Sequence, residues 1–120
     1  MRILIVDDSK AMRMIVVRTL RQAGFSGHEI VEATNGQEAL DSVSTNGPDL
    51  VLSDWNMPEM TGIELLTRLR DTGCDVPFGF ITSETSPVMR ERATEAGAMF
   101  LIAKPFSADD FETALAAVLP

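Results

Sequence analysis

Polar side chains that could bind a cation and a phosphoryl group follow four of the five short apolar segments of this chain. In chain order they are Asp7 and Asp8, Asp54, Thr82 and Ser83, and Lys104. The second segment is followed only by Thr-Asn-Gly. Carboxylates, hydroxyls and a lysine are the groups used to hold Mg²⁺ and to stabilise a transferred phosphoryl group. If these residues converge, a carboxylate such as Asp54 could act as a nucleophile toward phosphorus.

Three carboxylates at neighbouring strand ends would repel one another. At ~4 Å and an effective dielectric of ~20, each like-charged pair costs roughly 4 kcal/mol. Either one acid takes up a proton or a cation lies among them. Because Lys104 supplies a single positive charge, a hard dication suits the set better, with Mg²⁺ expected and Mn²⁺ a possible substitute.

Each of these features also has an ordinary structural explanation when it is taken alone. Asp7 and Asp8 could complement a helix dipole, Asp54 could cap a turn, and Thr82 could be a loop hydroxyl. The sequence leaves two roles open for Trp55, that of a packing residue and that of an aromatic lid over the acids. The joint placement at four strand ends is what favours a functional site.

The elements that would position these groups alternate along the chain. The strand candidates are 3–6, 29–33, 50–53, 78–81 and 100–103. The helix candidates are 9–23, 36–45, 62–71, 87–97 and 108–119. Most strands lack polar alternation, which is typical of parallel strands that are covered on both faces. Capping side chains precede an acid by three residues at Asn35, Thr61 and Ser107, which predicts helix starts there.

Alternating strands and helices predict an α/β fold with a doubly wound, five-stranded parallel sheet. In such sheets ligands bind beyond the carboxyl ends of the strands, where the strand order switches. With the order 2-1-3-4-5, strands one and three are adjacent and the second strand lies at an edge, away from the site.

Size and charge restrict the function classes. The 120 residues fit one domain, 1–120, and the net charge of −8 argues against direct binding to nucleic acid or an anionic membrane. No apolar run reaches the ~20 residues of a membrane span. Cys74 is the only cysteine, which suits a reducing compartment. We expect a cytoplasmic protein and a monomer and, because the sequence ends directly after the last predicted helix, no further domain.

Four motifs in register resemble one known family. The stretches VDDS (6–9), SDWNMPEMTG (53–62), ITSE (81–84) and KPF (104–106) are similar to those of the receiver domain of two-component response regulators. The resemblance covers the whole chain, and SDWNMP resembles the CheY-like, single-domain kind. It implies a CheY-like fold and a phosphoacceptor rather than an enzyme in the usual sense.

The resemblance assigns a role to each site residue. It implies that Asp54 accepts a phosphoryl group from a sensor histidine kinase or a phosphotransfer protein, and that Lys104 and Thr82 contact that group. Its implied Mg²⁺ ligands are Asp8, Asp54, the backbone carbonyl of Asn56 and, through water, Asp7. It also implies a cis peptide before Pro105, and it makes Asn56 and Glu84 the residues that tune phosphoryl lifetime, as in short-lived chemotaxis-type signalling.

The sequence departs from the family pattern on the expected output face, which comprises Leu101, Phe100, Pro87 and Phe106. The family often carries an aromatic residue three positions before the lysine, where Leu101 stands here. Phe100 cannot simply replace it, because successive strand side chains face opposite ways. The output partner therefore stays open, with a phosphate sink or a relay receiver as alternatives to chemotaxis.

Two other function classes fit parts of the pattern. A small Mg²⁺-dependent phosphohydrolase could turn over through an aspartyl phosphate, but Asn56 stands where a general acid would be expected. A flavodoxin-like FMN carrier would need a Ser/Thr/Gly-rich phosphate loop after the first strand, and none follows it. Multiple turnover of phosphate esters would favour the hydrolase, and bound yellow colour would favour the carrier.

Overall fold

The computed structural model describes residues 1–118, in which five strands alternate with five helices. The strands are β1 (Arg2–Val6), β2 (Glu29–Ala33), β3 (Leu50–Asp54), β4 (Phe78–Thr82) and β5 (Phe100–Ala103). The helices are α1 (Lys10–Gln22), α2 (Gly36–Asn46), α3 (Gly62–Asp71), α4 (Pro87–Ala96) and α5 (Ala108–Leu115). None of these helices has the length and apolar character needed to cross a membrane.

The sheet is parallel throughout, with the order β2-β1-β3-β4-β5, which confirms the predicted fold class and strand order. Helices cover both faces. One core contains buried residues of α2, α3 and α4, and the other contains buried residues of α1 and α5. The carboxyl ends of β1, β3, β4 and β5 therefore share one rim, with β1 beside β3.

The predicted helix starts are confirmed by their hydrogen bonds. Thr61 and Ser107 each form a full capping box, with Glu64 and Asp110 respectively. Asn35 accepts from the Glu38 N–H, but the Glu38 carboxylate accepts from the Thr34 N–H rather than from the cap residue itself. Each cap side chain thereby satisfies one of the N–H groups that have no partner within the first turn, and it marks where the helix begins.

Strands β3 and β4 each extend one residue further than predicted, and in both the added residue is a candidate site residue. Asp54 and Thr82 are the last residues of β3 and β4, paired across the sheet with Ile81 and Ala103, rather than the first residues of loops. Ladder pairing therefore holds both residues rigidly.

The fifth helix is also shorter than predicted. It ends at Leu115, whose carbonyl accepts from the Val118 N–H at 3.0 Å, and this tighter turn replaces the helical pattern. Residue 119 of the predicted helix lies outside the described residues.

Glu59, in the loop after β3, has a φ of 69°, a left-handed conformation. A side chain costs roughly 1–2 kcal/mol there, whereas glycine adopts it freely at some entropic cost. We expect Glu59→Gly to raise the free energy of unfolding by about 0.5–1 kcal/mol, measured by urea unfolding. Glu59→Ala, which keeps the side-chain strain, should show no such gain. Equal stabilities of the two variants would contradict this explanation.

Candidate functional site

Three carboxylates converge at the rim where β1 and β3 end. Asp7, Asp8 and Asp54 each present a carboxylate oxygen, and these oxygens all lie within 4.8 Å of one another. Asp7 is 5% exposed, Asp54 is partly buried and Asp8 is exposed. The cluster therefore has a buried floor and an open side, as a site for an incoming ligand requires.

Asp7 is held on several sides. Its backbone N–H donates to the Ala33 carbonyl at 3.2 Å, and its carboxylate accepts from the Ser9 N–H at 2.9 Å. Burial raises the pKa of the Asp7 carboxyl, and the charges of Asp54 and Asp8 raise it further, while the Ser9 N–H and Lys104 lower it. The raised pKa therefore reflects first the burial of this carboxyl and then its position beside two further acids.

Lys104 supplies the positive charge of the rim. Its Nζ lies 3.6 Å from the Asp54 Oδ2 and 3.8 Å from the Asp7 Oδ2. Its backbone N–H donates to the Thr82 carbonyl at 2.9 Å, which ties the end of β5 to the end of β4. The Lys104-Pro105 peptide is cis, as the resemblance implied.

The two oxygens of Asp54 have different surroundings. The Trp55 N–H donates to Oδ1 at 2.7 Å, whereas Oδ2 faces Lys104. The backbone behind Asp54 is also closely packed, because a Cβ added at Gly62 would collide with the Asp54 carbonyl and come within 2.9 Å of the Phe80 ring. This packing holds the backbone of Asp54, while the Trp55 hydrogen bond orients the carboxylate so that Oδ2 faces the lysine.

Trp55 is a packing residue rather than a lid. It is 4% exposed, and its ring lies 4.7 Å from the Phe80 ring between centroids. The Arg92 guanidinium lies over it, 5.7 Å from the centroid. Of the two roles left open for Trp55, the structure therefore favours core packing.

The hydroxyl and the predicted lifetime residues lie next to each other. Thr82 is fully buried, and its Oγ1 accepts from the Glu84 N–H at 3.1 Å. The Asn56 side-chain amide donates to the Glu84 carboxylate, also at 3.1 Å. The structure thus brings together Asn56 and Glu84, which the sequence separates by 28 positions.

The four residues of the expected output face occupy different environments. Leu101 lines a groove of about 360 Å³ together with residues of α4 and α5. The Phe100 ring covers Gly79 and belongs to the core on the α1 and α5 side. Phe106 makes an edge contact with Phe111 at 4.9 Å, and Pro87 is exposed at the start of α4. Phe100 and Leu101 therefore lie on opposite sides of β5, as the alternation of strand side chains predicts.

Two arginines near the site were not singled out from the sequence. Arg13 is 9% exposed and contacts the Asp7 carbonyl, and Arg92 contacts Trp55. The position of Arg13 on the α1 face that bears buried Val16 and Leu20 is the clue that could have identified it, because a buried arginine needs polar partners. Nothing in the sequence pattern indicates the contact of Arg92.

The rim as a whole suits a hard dication. It offers carboxylate oxygens, the ligand type that Mg²⁺ and Mn²⁺ prefer, and one lysine leaves a net charge of about −2 among three acids. The nearby lysine and hydroxyl are groups that can contact a phosphoryl oxygen.

Comparison with known proteins identifies the family. The family model of the response regulator receiver domain matches residues 3–116. The chain belongs to this family. Receiver domains act in two-component signalling as phosphoacceptors, which agrees with the groups found on the rim.

Solved structures and curated relatives support the assignment. The chemotaxis protein CheY4 of Vibrio cholerae is 35% identical, with a TM-score of 0.86 and coverage of 98% of both chains. The receiver domain of a Francisella response regulator is 26% identical, with a TM-score of 0.85 and coverage of 98% and 94%. The response regulator MprA of Mycobacterium sp. (strain KMS) is 37% identical over 98% of this chain and 50% of its own length. The chain thus spans about half the length of the curated relatives it matches.

Proposed function

We propose that this receiver domain accepts a phosphoryl group on Asp54 from a phosphohistidine of a sensor histidine kinase or a phosphotransfer protein, in a reaction that requires Mg²⁺. The observation that carries the proposal is the position of Asp54 Oδ2, 3.6 Å from the Lys104 Nζ and inside the acidic cluster. A carboxylate placed beside a cationic group and a cation site is equipped to attack phosphorus.

The surroundings of Asp54 suggest how the transfer proceeds. The Trp55 N–H engages Oδ1, which leaves Oδ2 as the attacking oxygen. The bond from Oδ2 to phosphorus forms as the bond from phosphorus to the donor's histidine nitrogen breaks. Lys104 stabilises the negative charge on the transferred phosphoryl oxygens, because its Nζ faces the same oxygen of Asp54.

The proposed cation ligands are the carboxylates of Asp8 and Asp54 and the Asn56 backbone carbonyl, with Asp7 acting through water. When bound, Mg²⁺ or its substitute Mn²⁺ would neutralise the phosphoryl oxygens and the acidic cluster. The role of Asp7 in this arrangement is to place negative charge behind the site, from a carboxylate already oriented by the Ser9 N–H.

We propose that Thr82 and strand β5 transmit the effect of Asp54 phosphorylation to the output face. The buried Thr82 hydroxyl now accepts from the Glu84 N–H, and it would turn toward the phosphoryl group. Lys104 and Thr82 are joined by a backbone hydrogen bond, so β4 and β5 would respond together. The groove beside Leu101 is then the part of the proposed output face most directly linked to the switch.

We propose chemotaxis-type signalling as the pathway, with a phosphate sink or relay receiver as the alternative. The likeness to a chemotaxis protein over almost the full length of both chains supports it. The alternative rests on Leu101, which stands where the family often carries an aromatic residue.

Incubation of the purified protein with acetyl phosphate, with Mg²⁺ or with EDTA, tests the proposal. Intact mass should show one added phosphoryl group only when Mg²⁺ is present. The same adduct in EDTA, or no adduct in either condition, would contradict the proposed reaction.

The exposure of the Asn56 side chain leads to a prediction about phosphoryl lifetime. The polar Asn56 side chain lies two residues after Asp54 and is exposed, so water can approach the phosphoryl group. We expect Asn56→Met to lengthen the phosphoryl half-life several-fold, because a longer apolar side chain excludes that water. Gln22→Met, which makes a similar exchange at the exposed end of α1 away from the rim, should decay at the wild-type rate. The measurement is loss of the phosphorylated mass with time, and an unchanged half-life in Asn56→Met would refute the assignment.

A further inference from the structure

Arg13 of α1 lies beneath the acidic rim, is 9% exposed and makes two side-chain hydrogen bonds. We propose that Arg13 is a positioning residue for the divalent cation, because it fixes the peptide that joins Asp7 to Asp8. The inference rests on the proposed function, and it adds a residue that contacts neither the cation nor the phosphoryl group.

The first contact is to the peptide itself. The Arg13 Nη1 donates to the backbone carbonyl of Asp7 at 2.8 Å. That carbonyl belongs to the peptide bond between Asp7 and Asp8, so the hydrogen bond sets the orientation of the peptide plane. The direction in which the Asp8 side chain leaves the backbone depends on that plane, and Asp8 is one of the proposed direct ligands.

The second contact holds Arg13 in place. Its Nε donates to the Glu32 Oε1 at 2.9 Å, and Glu32 lies on β2 opposite Ile5 of β1. A charge-assisted bond of this length orients the guanidinium, and the rigid fork of arginine then directs Nη1 at the carbonyl.

The edge strand β2 thereby takes part in the site although it contributes no residue to the rim. The Asp7 N–H is held by the Ala33 carbonyl of β2, and the Asp7 carbonyl is held by Arg13, which is itself held by Glu32 of β2. Both polar groups of the Asp7 backbone are thus anchored directly or indirectly to this strand.

The contacts indicate a geometric rather than an electrostatic role. The Arg13 Nη1 contacts a backbone carbonyl, that of Asp7, rather than a carboxylate oxygen of the acidic cluster. Its charge is instead paired with Glu32. Loss of Arg13 should therefore disturb where the ligands point more than how strongly they are charged.

The test compares Arg13→Met with Arg18→Met. Arg18 is exposed on the same helix, so its variant loses the same charge and keeps the Asp7 contact. Isothermal titration with Mg²⁺ should give roughly tenfold weaker binding for Arg13→Met, the usual effect of removing a partner that orients a ligand. Arg18→Met should bind as the wild type does. Urea unfolding of both variants, without Mg²⁺, separates loss of affinity from loss of fold.

Glu32→Gln and Arg13→Lys keep the inference testable if Arg13→Met does not fold. Lysine can reach the carbonyl or Glu32 but lacks the fork, and Glu32→Gln weakens only the bond that orients the guanidinium. Each is expected to bind Mg²⁺ with an affinity between those of the wild type and Arg13→Met. Affinities equal to that of Arg18→Met in every folded Arg13 and Glu32 variant would overturn the inference. Failure of the wild type to bind Mg²⁺ would instead overturn the proposed function, on which the inference depends.

Discussion

Asp54→Ala is expected to accept no phosphoryl group from acetyl phosphate in the presence of Mg²⁺, a loss of at least about 100-fold in labelling rate. The substitution removes Oδ2, the carboxylate oxygen that faces Lys104 at 3.6 Å. Other carboxylates lie nearby, but Asp7 is buried with its oxygens directed at Ser9 and Lys104. The measurement is intact mass as a function of time.

Asp75→Ala is the matched control for this prediction. Asp75 is exposed in the loop before β4, at the end of the sheet opposite to the rim, and its removal changes the net charge equally. It should be labelled at the wild-type rate. Labelling of Asp54→Ala at that rate would show that the nucleophile lies elsewhere.

Asp7→Asn is expected to stabilise the Mg²⁺-free protein and to weaken Mg²⁺ binding. The amide removes a buried charge that Asp54 and Asp8 repel, while its oxygen can still accept from the Ser9 N–H. We expect a gain of about 0.5–2 kcal/mol in the free energy of unfolding at neutral pH, and a loss of roughly tenfold or more in Mg²⁺ affinity. Urea unfolding in EDTA and isothermal titration measure the two effects.

The pH dependence of this gain follows from the sign of the pKa shift. The folded state raises the pKa of Asp7 above its ordinary value of 3.8, so the folded protein binds the proton more tightly than the unfolded chain does. As the pH falls through the folded pKa toward 3.8, Asp7 takes up a proton in the folded state. The wild-type protein then regains the stability that the buried charge had cost. Below that value both states are protonated and nothing more is gained.

The advantage of Asp7→Asn in EDTA should accordingly shrink as the pH falls from neutral to about 4. An advantage that is constant over this range would mean that the substitution acts through packing rather than charge. A variant less stable than the wild type at neutral pH would contradict the electrostatic account of the cluster.

The positions of the candidate site residues were accessible from the sequence because each of them lies at the carboxyl end of a parallel strand or within two residues after it. Strand order places β1 beside β3, and this brings Asp7 and Asp8 to Asp54 without further information. The helix starts at Thr61 and Ser107 were equally accessible, since a cap and its acid are local features.

The contacts that the sequence did not reveal are between side chains on different elements. Arg13 reaches Glu32 across 19 positions, the Arg92 guanidinium lies over Trp55, and the Phe100 ring fills the space above Gly79. Periodicity predicts which face of an element is buried, but it does not specify which partner a long side chain meets there. Such contacts depend on packing, which sets the details of the site and leaves its location unchanged.

Locating the phosphoryl group by tandem mass spectrometry is the most direct test of the account. The protein is labelled with acetyl phosphate and Mg²⁺, digested rapidly in acid, and the modified residue is identified. The account predicts a single modified residue, Asp54. A phosphoryl group on any other residue, with Asp54 unmodified, would contradict it.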